Sequence, residues 1–409
     1  MYKRTFIFGY GFFLSAVAGT LLGLFYVAQN FLIDYFWQGS FFQPLRNAIV
    51  ITFIALVIIF SRKFFGQLPQ NFSNVMVEIR QTGTADYRFV LLQMIIPAII
   101  LVSGTSLGPE ATLMSSTILY GVWISDKLRY IDVHFLSLKK ESFLKRVYII
   151  LIPHRYLLHK QNIPNHNGVF LTKRFTKITY FLSGVACFAG TLIYFREPSF
   201  IIRIGTSQWH TNELNWFIPL LIGSYLLGNV YLQIMIQLRK ILQARLYNTI
   251  QMVIFGGIAI YIASLIAPDL LFSGQHNFHL FTTAWQNQTP IYLAVMSFAK
   301  LLLLTICLNT GWIGGDIFPV IFAATAQGFA IGTIIPNLDH TYVAVVVAIG
   351  MDSAILESPM LVGSLMAIFF APLNLVPIIL IATILLMEVR SIQKRYTKYI
   401  PTVFDQMQK

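Results

Sequence analysis

Ile99-Ile100-Leu101-Val102-Ser103-Gly104-Thr105-Ser106-Leu107-Gly108-Pro109-Glu110-Ala111-Thr112-Leu113-Met114 places a carboxylate between two apolar runs, with glycine and proline just ahead of it. An ionisable side chain at membrane depth is costly and is kept mainly where it is used. Gly108-Pro109 reads as a helix start, because proline in the first turn lacks only an N–H that the helix would leave unsatisfied. The free N–H groups of that turn and the helix dipole make an anion site. Glu110 therefore sets its own carboxylate where a free anion would otherwise be drawn. Burial and the helix terminus act on its charge in opposite senses. Two readings follow: a gate that blocks when ionised and admits an anion when protonated or swung away, or a helix-start glutamate that satisfies the first-turn N–H groups.

The composition around this stretch decides the class. Of 409 residues, 56% are apolar and 11% charged, and the mean hydropathy is +0.68. A soluble domain carries about 25% charged residues, so this chain could not cover a water-facing surface. Long apolar blocks at Thr5–Leu32, Asn47–Phe60, Tyr180–Phe195, Trp216–Ile236, Met252–Ala267, Ile291–Leu308 and Leu373–Met387 reach or approach the ~20 residues that span a bilayer. The expected class is an all-α polytopic membrane protein. The first block, after Lys3 and Arg4, is too long for a cleaved signal and reads as a retained helix. Cys187 and Cys307 lie in apolar blocks and exclude a disulfide scaffold or a cysteine-rich metal site.

The net charge of +13 is concentrated: residues 127–177 hold eleven of the 29 Lys and Arg, against only Asp132 and Glu141. In a membrane protein that asymmetry marks a cytoplasmic segment rather than a nucleic-acid surface. The chain is read as one membrane domain over 1–409. Residues 1–126 and 175–205 form a first half, 127–174 the basic segment, 215–390 a second half and 391–409 a basic tail. Neither the basic segment nor the tail has the length of a regulatory domain.

Several blocks are broken by glycine and proline. Gly66-Gln67-Leu68-Pro69 and Ser106–Glu110 interrupt the first half; Ser273-Gly274-Gln275 and Gly311–Pro319 interrupt the second. Gly66 to Glu110 and Ser273 to Ile317 both span 44 positions. Interruptions at matching places in two halves point to a transporter built from structural repeats. In Gly314-Gly315-Asp316-Ile317-Phe318-Pro319 the N–H groups of Ile317 and Phe318 are candidate anion donors, and Asp316 is the expected N-cap. His154, His159 and His166 read as solvated loop residues without a carboxylate nearby. Glu78, Asp86, Glu197 and Glu213 read as interface residues, and Asp352 and Glu357 as helix-end residues. No nucleotide loop, zinc-protease motif or nucleophile elbow is present in the sequence. No metal or cofactor is expected.

Ser106-Leu107-Gly108-Pro109-Glu110-Ala111 resembles the Gly-x-Glu-Gly-Pro motif of the CLC chloride channel and anion–proton antiporter family. Gly315-Asp316-Ile317-Phe318-Pro319 resembles that family's Gly-x-Phe-x-Pro motif. Asp269–Gly274 and Glu357–Leu361 fit the family pattern more loosely. The resemblance covers about residues 45–125 and 215–385. It implies two inverted-topology repeats with broken and re-entrant helices meeting at a midplane anion site, and a homodimer in the bilayer with one pathway per subunit. It also implies that Glu110 is the gate, and that the backbones of Gly108, Glu110, Ala111, Gly315, Ile317 and Phe318 contribute to the anion cradle.

Three departures accompany the match. The glutamate motif reads Gly108-Pro109-Glu110-Ala111-Thr112, and Pro109 has no N–H to donate. Gly66 stands where the family's Gly-Ser-Gly-Ile-Pro motif carries serine, which leaves chloride, fluoride and nitrate open. Tyr396 or Tyr399 would be the coordinating tyrosine. The resemblance also implies an internal glutamate past the gate, but Ser142 through Arg196 contains no Asp or Glu. The leading expectation is passive or weakly proton-coupled transport of chloride, with helix N-termini supplying positive potential without a buried Lys or Arg. Proton-coupled antiport is the alternative within the class. A lipid-modifying intramembrane enzyme and a family relic that no longer conducts are the readings outside it.

Overall fold

The computed structural model describes residues 2–37, 43–65, 72–152, 154–159, 174–197, 203–274 and 284–397. Among them the regular elements are helical: α1 Tyr2–Trp37, α2 Gln43–Phe65, α3 Phe72–Thr82, α4 Val90–Leu101, α5 Glu110–Lys140, α6 Phe143–Leu151 and α7 Arg174–Tyr194, followed by α8 Phe217–Arg245, α9 Thr249–Ile266, α10 Pro290–Asn309, α11 Ile317–Ile334, α12 His340–Ile355, α13 Pro359–Leu365 and α14 Val376–Thr397. Eight helical segments of the described residues are long and apolar enough to cross a membrane. The protein is a multi-pass membrane protein. Its chain clusters into two compact units, one comprising Met1–Arg46, Leu56–Ser103 and Pro109–Ser199, the other Asn47–Ala55, Gly104–Gly108 and Phe200–Lys409.

In the first unit α1 lies along α7 and α5. A Cβ on Gly19 would strike the carbonyl of Gly184, so these two helices touch backbone to backbone. Small residues permit that approach in a bilayer, where close packing and hydrogen bonds replace the hydrophobic drive. Ser183 Oγ donates to Phe12 O at 3.1 Å, and Tyr10 Oη to Ile150 O at 2.9 Å. Ser142 caps α6 by accepting from Lys145 N at 3.4 Å. In the loop before α4, Arg88 holds the Asp86 carboxyl below its ordinary range.

Helix α5 runs to Lys140, across the sequence boundary drawn at 126/127. Lys127 is fully buried, and its ammonium donates to the carbonyls of Ile149, Ile152 and Arg155 at 2.9, 3.3 and 2.8 Å. Beside it, buried Asp126 accepts from Arg129 at 2.6 Å and from Tyr87 Oη at 3.1 Å. His159 Nδ1 lies 2.7 Å from Oδ2, the same oxygen that Tyr87 bonds. The expectation of a histidine without a carboxylate is corrected here. The partner lies 33 residues upstream, beyond any local pattern.

In the second unit α11 packs against α10 and α12, and α12 also against α8, α13 and α14. α12 is buried from Thr341 through Ile355, consistent with a sequence that is apolar on every face apart from Thr341, Asp352 and Ser353. Gly328 of α11 meets the backbone of Ala344 on α12 at 2.6 Å from a notional Cβ, which excludes any larger residue there. Glu213, expected at an interface, is buried and accepts from His210 N at 3.2 Å and Asp339 N at 3.0 Å. Glu357 follows the end of α12 with φ +49° and pairs with Arg390 at 3.3 Å.

Candidate functional site

The two glycine breaks are hydrogen-bonded to each other within the second unit. Gly108 N donates to Gly315 O at 2.8 Å and Gly315 N to Gly108 O at 2.6 Å, an isolated antiparallel bridge. By chain connectivity alone, α5 begins two residues beyond one side of the bridge and α11 two residues beyond the other. Leu113 N donates to Pro109 O and Val320 N to Asp316 O, the first helical bonds of α5 and α11. Helix geometry leaves the N–H groups ahead of those bonds without intrahelical acceptors. They are Glu110, Ala111 and Thr112 in α5. In α11 they are Ile317 and Phe318, since Pro319 has no N–H. Each start therefore presents donors and the positive end of a helix dipole.

The bridge is held from behind by α10. Lys300 is fully buried, and its ammonium donates to Leu270 O, Leu271 O and Phe272 O at 2.8, 3.2 and 2.6 Å. Phe272 N in turn donates to Gly104 O at 3.2 Å, at the root of the 104–108 strap. Two helical turns along α10, Cys307 is fully buried. Trp312, 1% exposed, donates from Nε1 to Val253 O at 3.3 Å, anchoring the approach to the second break. A Cβ on Gly256 would strike Trp312 and Thr310, so that glycine makes room for the indole.

Glu110 is 7% exposed at the first position of α5. Phe318 is buried, with its ring edge-on to Phe370 at 5.9 Å between centroids; Ile317 is half-buried. Gly108 and Gly315 form the bridge, and Ala111 is in the first turn of α5. Gly66, Gln275, His166 and Tyr399 lie outside the described residues, and Tyr396 falls within the last turn of α14.

Two expectations are corrected. Asp316 occupies the N-cap position of α11 but its side chain makes no capping hydrogen bond, and the residue is exposed. Its backbone sits at φ −106°, ψ −15°, a helical conformation rather than the extended one from which a cap side chain reaches back. The expected absence of a buried cation is overturned by Lys300. The signal was available: a lone lysine inside the apolar block Ile291–Leu308.

The profile of the family described as Voltage gated chloride channel matches residues 169–386, more than half of the chain. No curated protein sequence matches it. Among solved structures, an X-ray structure of a slow cyanobacterial Cl−/H+ antiporter is similar with a TM-score of 0.68 and 17% identity, over 97% of this chain and 98% of that one. A crystal structure of a CLC-type fluoride/proton antiporter is similar with a TM-score of 0.60 and 14% identity, over 93% and 94%. At those identities the likeness speaks for the fold, and the profile match for the family. By that profile match over more than half of its length, the protein belongs to the voltage-gated chloride channel (CLC) family.

Proposed function

We propose that the protein carries a small inorganic anion, chloride first, across the bilayer along a path gated by Glu110. The observation that supports this most is the Gly108–Gly315 bridge, which ties together the two chain breaks from which α5 and α11 start. Partial charges at helix starts attract an anion yet hold it loosely enough to leave. The N–H groups of Ile317 and Phe318 are the proposed donors on α11, with those of Glu110 and Ala111 on α5. Glu110 competes for the site when ionised and yields it when neutral. The working unit is proposed as a homodimer. Passive flow is the first mode. Exchange against protons is the second, favoured by the likeness to two antiporter structures.

The test is the purified protein in chloride-loaded liposomes, with chloride efflux and external pH recorded together for wild type and Glu110→Gln. Wild type is expected to release chloride in a pH-dependent manner. Glu110→Gln, which fixes the gate in a neutral form, is expected to change the efflux rate several-fold and remove its dependence on Glu110 protonation. Proton movement in fixed ratio to chloride, lost in the variant, identifies exchange; chloride efflux alone identifies passive flow. Absence of chloride, fluoride and nitrate flux overturns the proposal.

A further inference from the structure

Asp352 is the one acidic residue of α12, and no part of the gate described above uses it. It is fully buried, and neither carboxyl oxygen has a hydrogen-bond partner among the described residues. Its neighbours along the helix, Val343 to Met351 and Ala354, are buried and apolar. The elements packed on α12 bring little charge. α11 and α13 contain no charged residue, and the one acid bordering α11 is its N-cap, Asp316, a turn ahead of Val320. On α8 the charges Arg239, Lys240 and Arg245 come late in the helix, and Tyr225 and Tyr231 bond to Gln393 and Gln327. α14 carries Glu388, Arg390, Lys394, Arg395 and Tyr396, with Arg390 paired to Glu357. On α12 itself His340 bonds Gly332 O and Tyr342 Oη bonds Glu213 O.

An isolated carboxylate ion is far costlier to bury than the neutral acid, and even the neutral acid loses hydrogen bonds it would make in water. A buried polar group left so needs an explanation, and a chemical role is one. Position supplies it. In the α11–α12 hairpin Gly332 faces His340 and Gly328 faces Ala344. Each step back along α11 is thus matched by an equal step forward along α12. The same antiparallel register carried eight residues past Ala344 sets Asp352, by backbone spacing, at the level of Val320 in the first turn of α11. The acid lies level with the start whose Ile317 and Phe318 N–H groups are the proposed anion donors. At that level an ionised Asp352 repels the anion and a neutral one does not, and the linkage runs equally in reverse.

We propose that Asp352 is a proton-binding site whose protonation and anion occupancy at the start of α11 promote one another. The proposal rests on the anion reading above, and its test is built so that the two can fail separately. Chloride binding to the purified protein is measured calorimetrically between about pH 5 and pH 8, in buffers of different ionisation enthalpy. The Glu110→Gln background removes the gate's own proton. There, chloride is expected to bind with proton uptake and to weaken about five-fold or more as pH rises. Asp352→Asn and Asp352→Leu in that background are expected to abolish both the uptake and the pH dependence. Leucine is included because it removes a buried polar group outright and is expected to fold at least as stably as the parent. Retention of proton-linked binding in the double variants, or its absence in Glu110→Gln alone, overturns the proposal. Should wild type bind no chloride, the anion reading fails. The infrared carboxyl band lost in Asp352→Asn then decides: a band that titrates with pH supports the proton site, and one that does not overturns it.

Discussion

Each unit buries one lysine in the same manner. Lys127 in the first and Lys300 in the second are fully enclosed, each with its ammonium on three backbone carbonyls, every third one from 149 to 155 for Lys127 and three in a row for Lys300. Each also has an aromatic ring close by, Tyr156 at 5.7 Å and Phe322 at 5.3 Å. Their surroundings differ. Lys127 adjoins Asp126, Arg129 and His159, and two of its three bonds are partly open to solvent. Lys300 has two of three bonds buried, and no carboxylate lies within ion-pair distance among the described residues. A lysine's three protons match three converging carbonyls, so the same device pins a loop in either setting. The difference lies in what water can replace once the lysine is gone.

Lys300→Met breaks the comparison hardest. It leaves Leu270, Leu271 and Phe272 carbonyls without their donor in a dry interior, with an expected loss of about 3–5 kcal/mol of stability. Thermal unfolding in detergent reads the loss. Because Phe272 N–H holds Gly104 O, anion efflux in liposomes is expected to fall as well. Lys300→Arg should not restore either property, since a planar fork cannot converge on three stacked carbonyls. Wild-type stability in Lys300→Met would mean that the carbonyls find other donors and that the lysine pins nothing.

Much of this architecture was legible in the sequence. The apolar blocks marked the spanning helices, and Gly108-Pro109 and Gly315–Pro319 marked the two helix starts, because proline and glycine impose local conformations wherever they stand. Ile317 and Glu110 were placed at helix starts for that reason, and both begin helices. What could not be read depends on contacts remote in the chain. Asp126 meets His159 from 33 residues away, and Lys300 meets Leu270 from 30. The burial of Asp352 depends on four other helices closing around α12, and its local sequence is equally that of a helix end. Asp316 shows the reverse: its residue type favours a cap, but behind the hydrogen-bonded Gly315 its backbone is helical and its side chain makes no capping bond.

Lys127→Met is the matched variant and sharpens the comparison. Water can reach the carbonyls of Ile152 and Arg155, so the expected loss is smaller, about 1–3 kcal/mol. Anion efflux per folded molecule should stay near wild type, because Lys127 holds residues 149–155 and no strap of the bridge. An efflux defect equal to that of Lys300→Met would show that the two pins serve the path alike.

His159→Ala probes the rim of the same cluster. Its side chain is 45% exposed while Asp126 is 3% exposed, so the carboxylate loses one of three partners on its wet side. Arg129 on Oδ1 and Tyr87 on Oδ2 remain at 2.6 and 3.1 Å, and water can take the lone pair of Oδ2 that His159 leaves. A change of about 0.5–1.5 kcal/mol is expected, with no additional loss when the substitution is placed in Lys300→Met beyond the simple sum. Non-additivity between His159→Ala and Lys127→Met is expected instead, because Lys127 holds Arg155 O only four residues from His159. Fully additive melting shifts for that second pair would mean that the lysine pin and the Asp126 cluster act independently, and that their adjacency on α5 carries no shared load.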